Sequence, residues 1–237
     1  MIRINKKKAK FDILIQARLT STRLPGKVLK KIGNRTALKM LLDRLKKTKS
    51  VRNIVIILPK NKKNNFLQKY VKTLGYKTFR GSENNVLDRY YKASKKFNSE
   101  NIIRITSDCP FIDVATLNKM VEIFASLDYD YMSNIDPRTF PKGLDIEIFT
   151  FKTLKKSWSL AKTKYDKEHV TPHMIRSKNI SHYNFKNNAN YSNLRITLDT
   201  SKDLEILNNI YNKLRNIKNF ELSDIIKLYK KFPKIFR

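Results

Sequence analysis

Between Arg18 and Val28 the chain reads RLTSTRLPGKV, with Arg18, Arg23 and Lys27, the hydroxyls of Ser21 and Thr22, and no acid. Cations, hydroxyls and backbone N–H groups in one loop can cradle a phosphate. The same composition also describes an ordinary polar loop. It is not a Walker loop, because GxxxxGK[ST] is absent, and no GxGxxG occurs anywhere. Pro25-Gly26-Lys27 is only superficially like the Walker ending. Two acids, Asp108 and Asp199, each follow a strand-like run; an ordinary role for an Asp there is to cap the next helix. His169 and His173 are four apart and can share a helix face, but Pro172 and the lack of a further His-rich partner argue against a metal pair.

These residues need elements to position them. Phe11–Ala17 is a short apolar run closed by the basic loop, and so reads as a buried strand. Asn53–Leu58, Tyr76–Phe79 and Ile102–Thr106 read as further strands. They alternate with helical patterns over Thr36–Lys47, Asn64–Leu74, Val86–Phe97 and Thr116–Leu127. This alternation predicts an α/β fold with a mostly parallel sheet flanked by helices. Ligands of such sheets bind beyond the carboxyl ends of the strands, where the Arg18 loop lies. After Asp128 the rhythm changes. Asp130–Asn134 and Asp145–Thr150 read as strands around a turn, followed by helices Phe151–Ala161 and Lys167–Arg176, the latter interrupted by Pro172. Strands Ser181–Phe185 and Leu194–Leu198 and helices Ser201–Leu214 and Leu222–Lys231 follow. The expectation is one domain over 1–237, with a nucleotide-binding part (11–127), an inserted hairpin-helix region for acceptor or dimer contacts (128–193), and a closing strand and helices (194–237).

The 237 residues carry 51 Lys+Arg against 20 Asp+Glu, a formal charge of +31. At 41% hydrophobic the chain is too apolar for a disordered basic tail. No apolar run reaches the length of a membrane span, and no signal-peptide core precedes Phe11. A single cysteine excludes an intrachain disulfide framework and fits a reducing cytoplasm. Residues 1–100 hold 28 basic and 5 acidic side chains, whereas residues 101–210 hold 15 and 13. The positive field of the first segment attracts polyanions, either a nucleoside triphosphate or nucleic acid. A nucleic-acid-binding protein would need a basic stripe interleaved with exposed aromatics. The Phe and Tyr residues instead fall mostly at strand and amphipathic-helix positions, so no specific nucleic-acid partner is expected.

The loop also carries a resemblance. IQARLTSTRLPGKVL (residues 15–29) is similar to the opening motif of the KDO and acylneuraminate cytidylyltransferases, which activate acidic sugars. With Gln before Ala-Arg it resembles the SpsF type of spore-coat polysaccharide synthesis. GSENNVLDRY, RITSDCPFID, GLDIEIF, EHVTP and RITLDTSKDLE follow in the order of that type. The resemblance spans about residues 11–210 and implies a Rossmann-like (GT-A-like) nucleotidyltransferase fold. It implies transfer of CMP from CTP to an acidic sugar of the sialic or KDO kind, with release of pyrophosphate. Another nucleotide, or a phosphorylated acceptor, is the alternative within the same fold. The resemblance also implies a homodimer.

By resemblance, the nucleotide is bound by Gln16, Ala17, Arg18, Ser21, Arg23, Lys27, Thr106 and Asp108. Of these, Arg18, Lys27 and Asp108 are implied to be catalytic. Arg18 and Arg23 would meet the β- and γ-phosphates, with Lys27 close to the α-phosphate. Mg²⁺ would sit on Asp108, with Asp199 as the second metal-associated acid. Arg89, Asp145, Glu147, Glu168 and His169 fall in the motifs assigned to the acceptor side. Asp145 and Glu147 alternate on one expected strand and so share a face; they can bind sugar hydroxyls, hold a second metal or act as base. Alternatively Glu147 pairs with a nearby cation. Cys109 reads as a small buried residue, Asp203 as support for a helix dipole, and Trp158 as a core anchor. Gln16 departs from the KDO enzymes, which typically carry Pro there.

Overall fold

The computed structural model describes residues 9–237. The apolar run at Phe11–Gln16 forms β1, an interior strand of a seven-stranded sheet. The ribbon strands β2 (Lys31–Ile32) and β3 (Arg35–Thr36) follow, then α1 (Ala37–Leu45), β4 (Val51–Pro59), α2 (Asn65–Thr73), β5 (Lys77–Gly81), α3 (Val86–Lys96), β6 (Asn101–Thr106) and α4 (Val114–Ser126). The second half holds β7 (Tyr131–Ser133), β8 (Glu147–Thr150), α5 (Phe151–Leu160), α6 (Lys164–His169), α7 (Pro172–Arg176), β9 (His182–Asn184), α8 (Ser201–Leu214) and α9 (Leu222–Lys231).

The sheet order is β5-β4-β1-β6-β8-β7-β9. β1 pairs in parallel with β4 and β6, and β5 with β4. β8 is antiparallel to both β6 and β7, so it is the one reversed strand, and β7 and β9 run in the direction of β6. In register, Gln16 lies opposite both Ile57 and Thr106. β1 and β6 thus end together and β4 runs two residues further to Pro59, so their following loops meet at one edge.

Strand side chains alternate between two apolar layers. Ile13, Ile15, Ile56, Leu58, Ile103 and Ile105 pack on one face with Leu38, Leu41, Leu67, Val71, Leu117 and Met120 of α1, α2 and α4. Leu14, Val55, Ile57 and Ile102 pack on the other with Val86, Leu87 and Tyr90 of α3, Leu154 of α5 and Met174 of α7. A third cluster joins Phe111, Phe140, Leu144 and Ile196 to α8 and α9. Gly33 joins the ribbon to that cluster: at its φ of 59°, a Cβ would stand 2.1 Å from the Tyr211 ring of α8. Among the described residues, no helix is long and apolar enough to cross a membrane.

The structure corrects four expectations. Leu194–Leu198 is not a strand: it is an extended segment with a single bridge, Lys142 to Arg195. Its alternating apolar residues are buried, but their backbone bonds go to Lys142 and to the Asp108 carbonyl. Asp145 lies before β8, which begins at Glu147. The helix expected over Lys167–Arg176 is two, because Val170 takes a left-handed φ of 74° and Pro172 opens α7. His169 and His173 therefore sit on different helices. Trp158 is 37% exposed; its ring stacks on Tyr91 and its Nε1 donates to Asp88 Oδ1 at 3.0 Å.

Candidate active site

Beyond Gln16 the chain leaves the sheet through two backbone bonds, Ala17 N to Ile57 O at 3.2 Å and Ser107 N to Gln16 O at 3.2 Å. The Arg18 loop closes on itself where Gly26 N donates to Leu19 O at 3.0 Å. Gly26 has φ 66°, a conformation that costs glycine little, and a 3-10 turn begins at Lys27. Asn64 Oδ1 accepts from Leu19 N at 2.9 Å, and Thr20 Oγ1 donates to Glu83 Oε1 at 2.9 Å. The loop is thereby tied to the segments after β4 and β5.

This turn aims Lys27 at two carboxylates. Its Nζ lies 2.8 Å from Asp108 Oδ2 and 2.8 Å from Asp199 Oδ1. Arg23 Nη2 reaches the same Asp199 oxygen at 3.1 Å, and Arg195 Nη2 holds the other at 2.8 Å. Asp108 enters on the loop after β6, Asp199 on the extended segment before α8. The bond from Leu198 N to Asp108 O, 2.9 Å, joins those two segments directly. Burial works against the Lys27 charge, but the two carboxylates outweigh it and the ammonium titrates above its ordinary value. Burial likewise disfavours the Asp199 carboxylate, and Lys27, Arg195 and Arg23 together hold it below the usual range.

A cavity of about 460 Å³ opens over these groups. Gln16, Ala17, Arg18, Ser21, Arg23, Lys27, Thr106, Asp108 and Asp199 all line it, so the sheet edge brings together every residue expected at the nucleotide and the metal. Arg89, Glu168 and His169 line it as well, from α3 and α6. Asp145 and Glu147 do not. Asp145 is engaged by both Nη atoms of Arg138, at 2.6 and 2.9 Å. Glu147 is 1% exposed, paired with Arg104 and hydrogen-bonded by Tyr131 Oη at 2.7 Å. Arg104 Nη2 also reaches Gln16 Oε1 at 3.3 Å, so this buried pair touches the cleft through Gln16. Cys109 is buried, and burial pushes its thiol well above its ordinary value.

Glu83, Asn84, Ser107 and Lys164 also line the cavity and were not singled out from the sequence. Glu83 and Asn84 lie inside GSENNVLDRY and Ser107 inside RITSDCPFID, where the signal was available. Lys164 is one of many lysines and carried none.

The donor chemistry suits a magnesium ion. Two carboxylates converge on one cationic position, the Lys27 ammonium, in a cleft that also presents arginines and hydroxyls, and Mg²⁺ commonly takes one or two carboxylates with phosphate and water oxygens. Among the described residues no cluster of three or more His, Cys, Asp or Glu could hold a metal. An all-protein cage of the zinc or calcium kind is not what these residues form.

Residues 13–232 match the cytidylyltransferase family. The chain is 37% identical over 225 residues to an uncharacterized protein of Methanocaldococcus jannaschii, covering 94% of this chain and 91% of that one. It is 31% identical over 234 residues to the spore coat polysaccharide biosynthesis protein SpsF of Bacillus subtilis, covering 94% and 95%. A solved cytidylyltransferase from Leptospira borgpetersenii superposes with TM-score 0.91 at 35% identity, over 96% of this chain and 97% of that one. At the level of fold alone, a CMP:2-keto-3-deoxy-manno-octonic acid synthetase complexed with CTP superposes with TM-score 0.69 at 15% identity, over 86% and 99%. The fold is the Rossmann-like nucleotidyltransferase fold expected from the motifs. Family match, identity and structural likeness agree over nearly the whole chain: it belongs to the cytidylyltransferase family and is a CTP-dependent nucleotidyltransferase.

Proposed function

We propose that the enzyme transfers CMP from CTP to an acidic sugar, with release of pyrophosphate, in the cytoplasmic synthesis of a surface glycan. The observation that carries this reading is the convergence of the Arg18 loop on Asp108 and Asp199 through Lys27 in one cleft. SpsF, a relative by sequence, is described as a polysaccharide biosynthesis protein, and a fold neighbour makes a CMP-linked sugar acid.

In this account Arg18 and Arg23 bind the β- and γ-phosphates, and the Ser21 hydroxyl and the loop N–H groups complete the cradle. Lys27 fixes both carboxylates and places its charge beside the α-phosphate. Asp108 and Asp199 would hold Mg²⁺, which supplies charge neutralisation at the transferring phosphoryl group. The acceptor's hydroxyl oxygen attacks the α-phosphorus in line as its proton is released to solvent, the bond from the α-phosphorus to the α–β bridging oxygen breaks, and pyrophosphate leaves. The chain contributes positioning and fixed charge rather than a covalent nucleophile. Glu168 and His169, which line the cleft from α6, would meet the acceptor's hydroxyls. The inserted region exposes Trp158, Leu160 and Tyr165 on α5 and α6, the surface through which a homodimer would form.

A nucleotide-by-acceptor panel with pyrophosphate readout tests the reading. CTP, UTP, ATP and GTP are each offered 2-keto-3-deoxy-manno-octonic acid, N-acetylneuraminate, neutral hexoses and hexose phosphates, with Mg²⁺. Release is expected with CTP and an acidic sugar. Release only with phosphorylated sugars, or equally without acceptor, contradicts it.

A further inference from the structure

One wall of the cleft holds a positive charge that no hydrogen bond or ion pair among the described residues answers. Arg89 of α3 is 3% exposed and lines the cavity, yet its Nε and Nη1 are buried without a hydrogen-bond partner among the described residues. Charged side chains at such depth are normally paired, because burying an unpaired ion is costly. Other enclosed arginines of this chain have at least one protein partner, although Arg104 also leaves its Nε unbonded. Arg104 has Glu147, and Arg44 donates to the carbonyls of Ile112 and Phe220. Burial lowers the Arg89 pKa to about 10, and nearby Arg18 pushes the same way while Tyr90 and Glu83 oppose. At neutral pH the group is still a cation.

The position is built rather than incidental. Asn85 caps the helix, its side chain accepting from Asp88 N at 2.9 Å, so Arg89 sits in a fixed second turn. A Cβ on Gly81, at the end of β5, would lie 3.0 Å from Arg89 Cγ and 3.2 Å from Arg89 Cβ, so the absence of a side chain there leaves room for the arginine stem. The triphosphate reading already uses Arg18, Arg23 and Lys27. Arg89 comes from a different element, on the sheet face that α6 shares, where Lys164, Glu168 and His169 supply groups suited to sugar hydroxyls.

We propose that Arg89 binds the carboxylate of the acceptor and is the residue that makes this enzyme select an acid. The proposal rests on the acidic-sugar reading above and deepens it. A guanidinium donates charge-assisted N–H bonds to a carboxylate, and with Nε and Nη1 enclosed it is Nη2 that is left to face the cavity. One unanswered cation matches one carboxylate, whereas a phosphate monoester would bring nearly two charges.

The test compares wild type with Arg89→Gln and Arg89→Lys in steady state, using CTP with N-acetylneuraminate or 2-keto-3-deoxy-manno-octonic acid and with the methyl ester of each. Arg89→Gln is expected to raise the KM for the acid roughly 10- to 100-fold, the scale of a lost charged hydrogen bond, and to erase the preference for acid over ester. The KM for CTP should stay within about twofold, the spread of an untouched site. Arg89→Lys should fall between, since an ammonium keeps the charge without the planar guanidinium. CTP binding by calorimetry checks that each variant folds. If Arg89→Gln does not fold, Gly81→Ala displaces the arginine while retaining its charge and should shift the acid-to-ester ratio in the same direction. An unchanged ratio, a rise in the CTP KM instead, or Arg89 dependence for a phosphorylated acceptor overturns the proposal. Failure of wild type to use any acidic sugar overturns the reading beneath it. Turnover of acids with Arg89 indifferent overturns the proposal alone.

Discussion

Glu147 and Arg104 share one buried ion pair, with side chains 1% and 12% exposed. Tyr131 Oη donates to the other Glu147 oxygen, and burial together with this carboxylate pushes the Tyr131 hydroxyl well above its ordinary value. Removing one partner leaves the other charge buried and uncompensated. Glu147→Gln is therefore expected to destabilise the fold by about 3–5 kcal/mol, measured by urea unfolding at neutral pH. The paired change Arg104→Met with Glu147→Met should recover most of that loss, since it removes both desolvation costs. A loss below about 1 kcal/mol would place the pair among weakly contributing surface bridges instead. From sequence, Glu147 carried two readings, site acid or partner of a cation, and alternation along a strand could not choose between them. The deciding partner, Arg104, is 43 residues away.

At the scale of elements, α8 is held by its first turn. Thr200 Oγ1 accepts from Asp203 N, and the Asp203 carboxylate accepts back from Thr200 N at 2.8 Å and from Asp199 N at 2.9 Å. Arg195 adds an ion pair at 2.8 Å. Burial opposes the charge, but Arg195 and these N–H groups outweigh it and lower the Asp203 pKa to about 2. In an unfolded chain an Asp titrates near about 3.9. A depressed folded value stabilises above the unfolded pKa and is lost as the pH falls through the folded one. Asp203→Asn should thus cost about 2 kcal/mol at pH 7, the scale of lost charged hydrogen bonds. The difference from wild type should narrow below about pH 4 and vanish near about pH 2. Paired unfolding curves across pH check this; a constant difference would contradict it. From sequence, Asp203 was legible as a first-turn acid that supports the helix dipole; the reciprocal cap with Thr200 is what the structure adds. The segment before it was not legible: Leu194, Ile196 and Leu198 alternate like a strand, but alternation reports which side chains are buried, not whether the backbone finds a sheet. The break between α6 and α7 was half legible, through Pro172, while the left-handed turn at Val170 had no sequence mark.

Over the whole molecule, the central contact joins residues that no spacing rule connects. Lys27 meets Asp108 across 81 positions and Asp199 across 172. The alternation of strands and helices was enough to bring the first two to one sheet edge, because parallel strands end together. Asp199 required the closing segment to cross onto the Asp108 loop, which the motif RITLDTSKDLE signalled only through resemblance. The formal charge of +31 first suggests a polyanion. The structure gathers part of it, Arg18, Arg23 and Lys27, in one cleft together with two acids.

The most direct measurement of the central claim is the single-turnover rate of pyrophosphate release from saturating CTP and acidic sugar, for wild type and Asp108→Asn, with CTP affinity measured on both. The account predicts that the variant still binds CTP but reacts at least about 100-fold more slowly, the size of effect expected when a group stabilising transition-state charge is lost. An Asp108→Asn enzyme that releases pyrophosphate at the wild-type rate would contradict it.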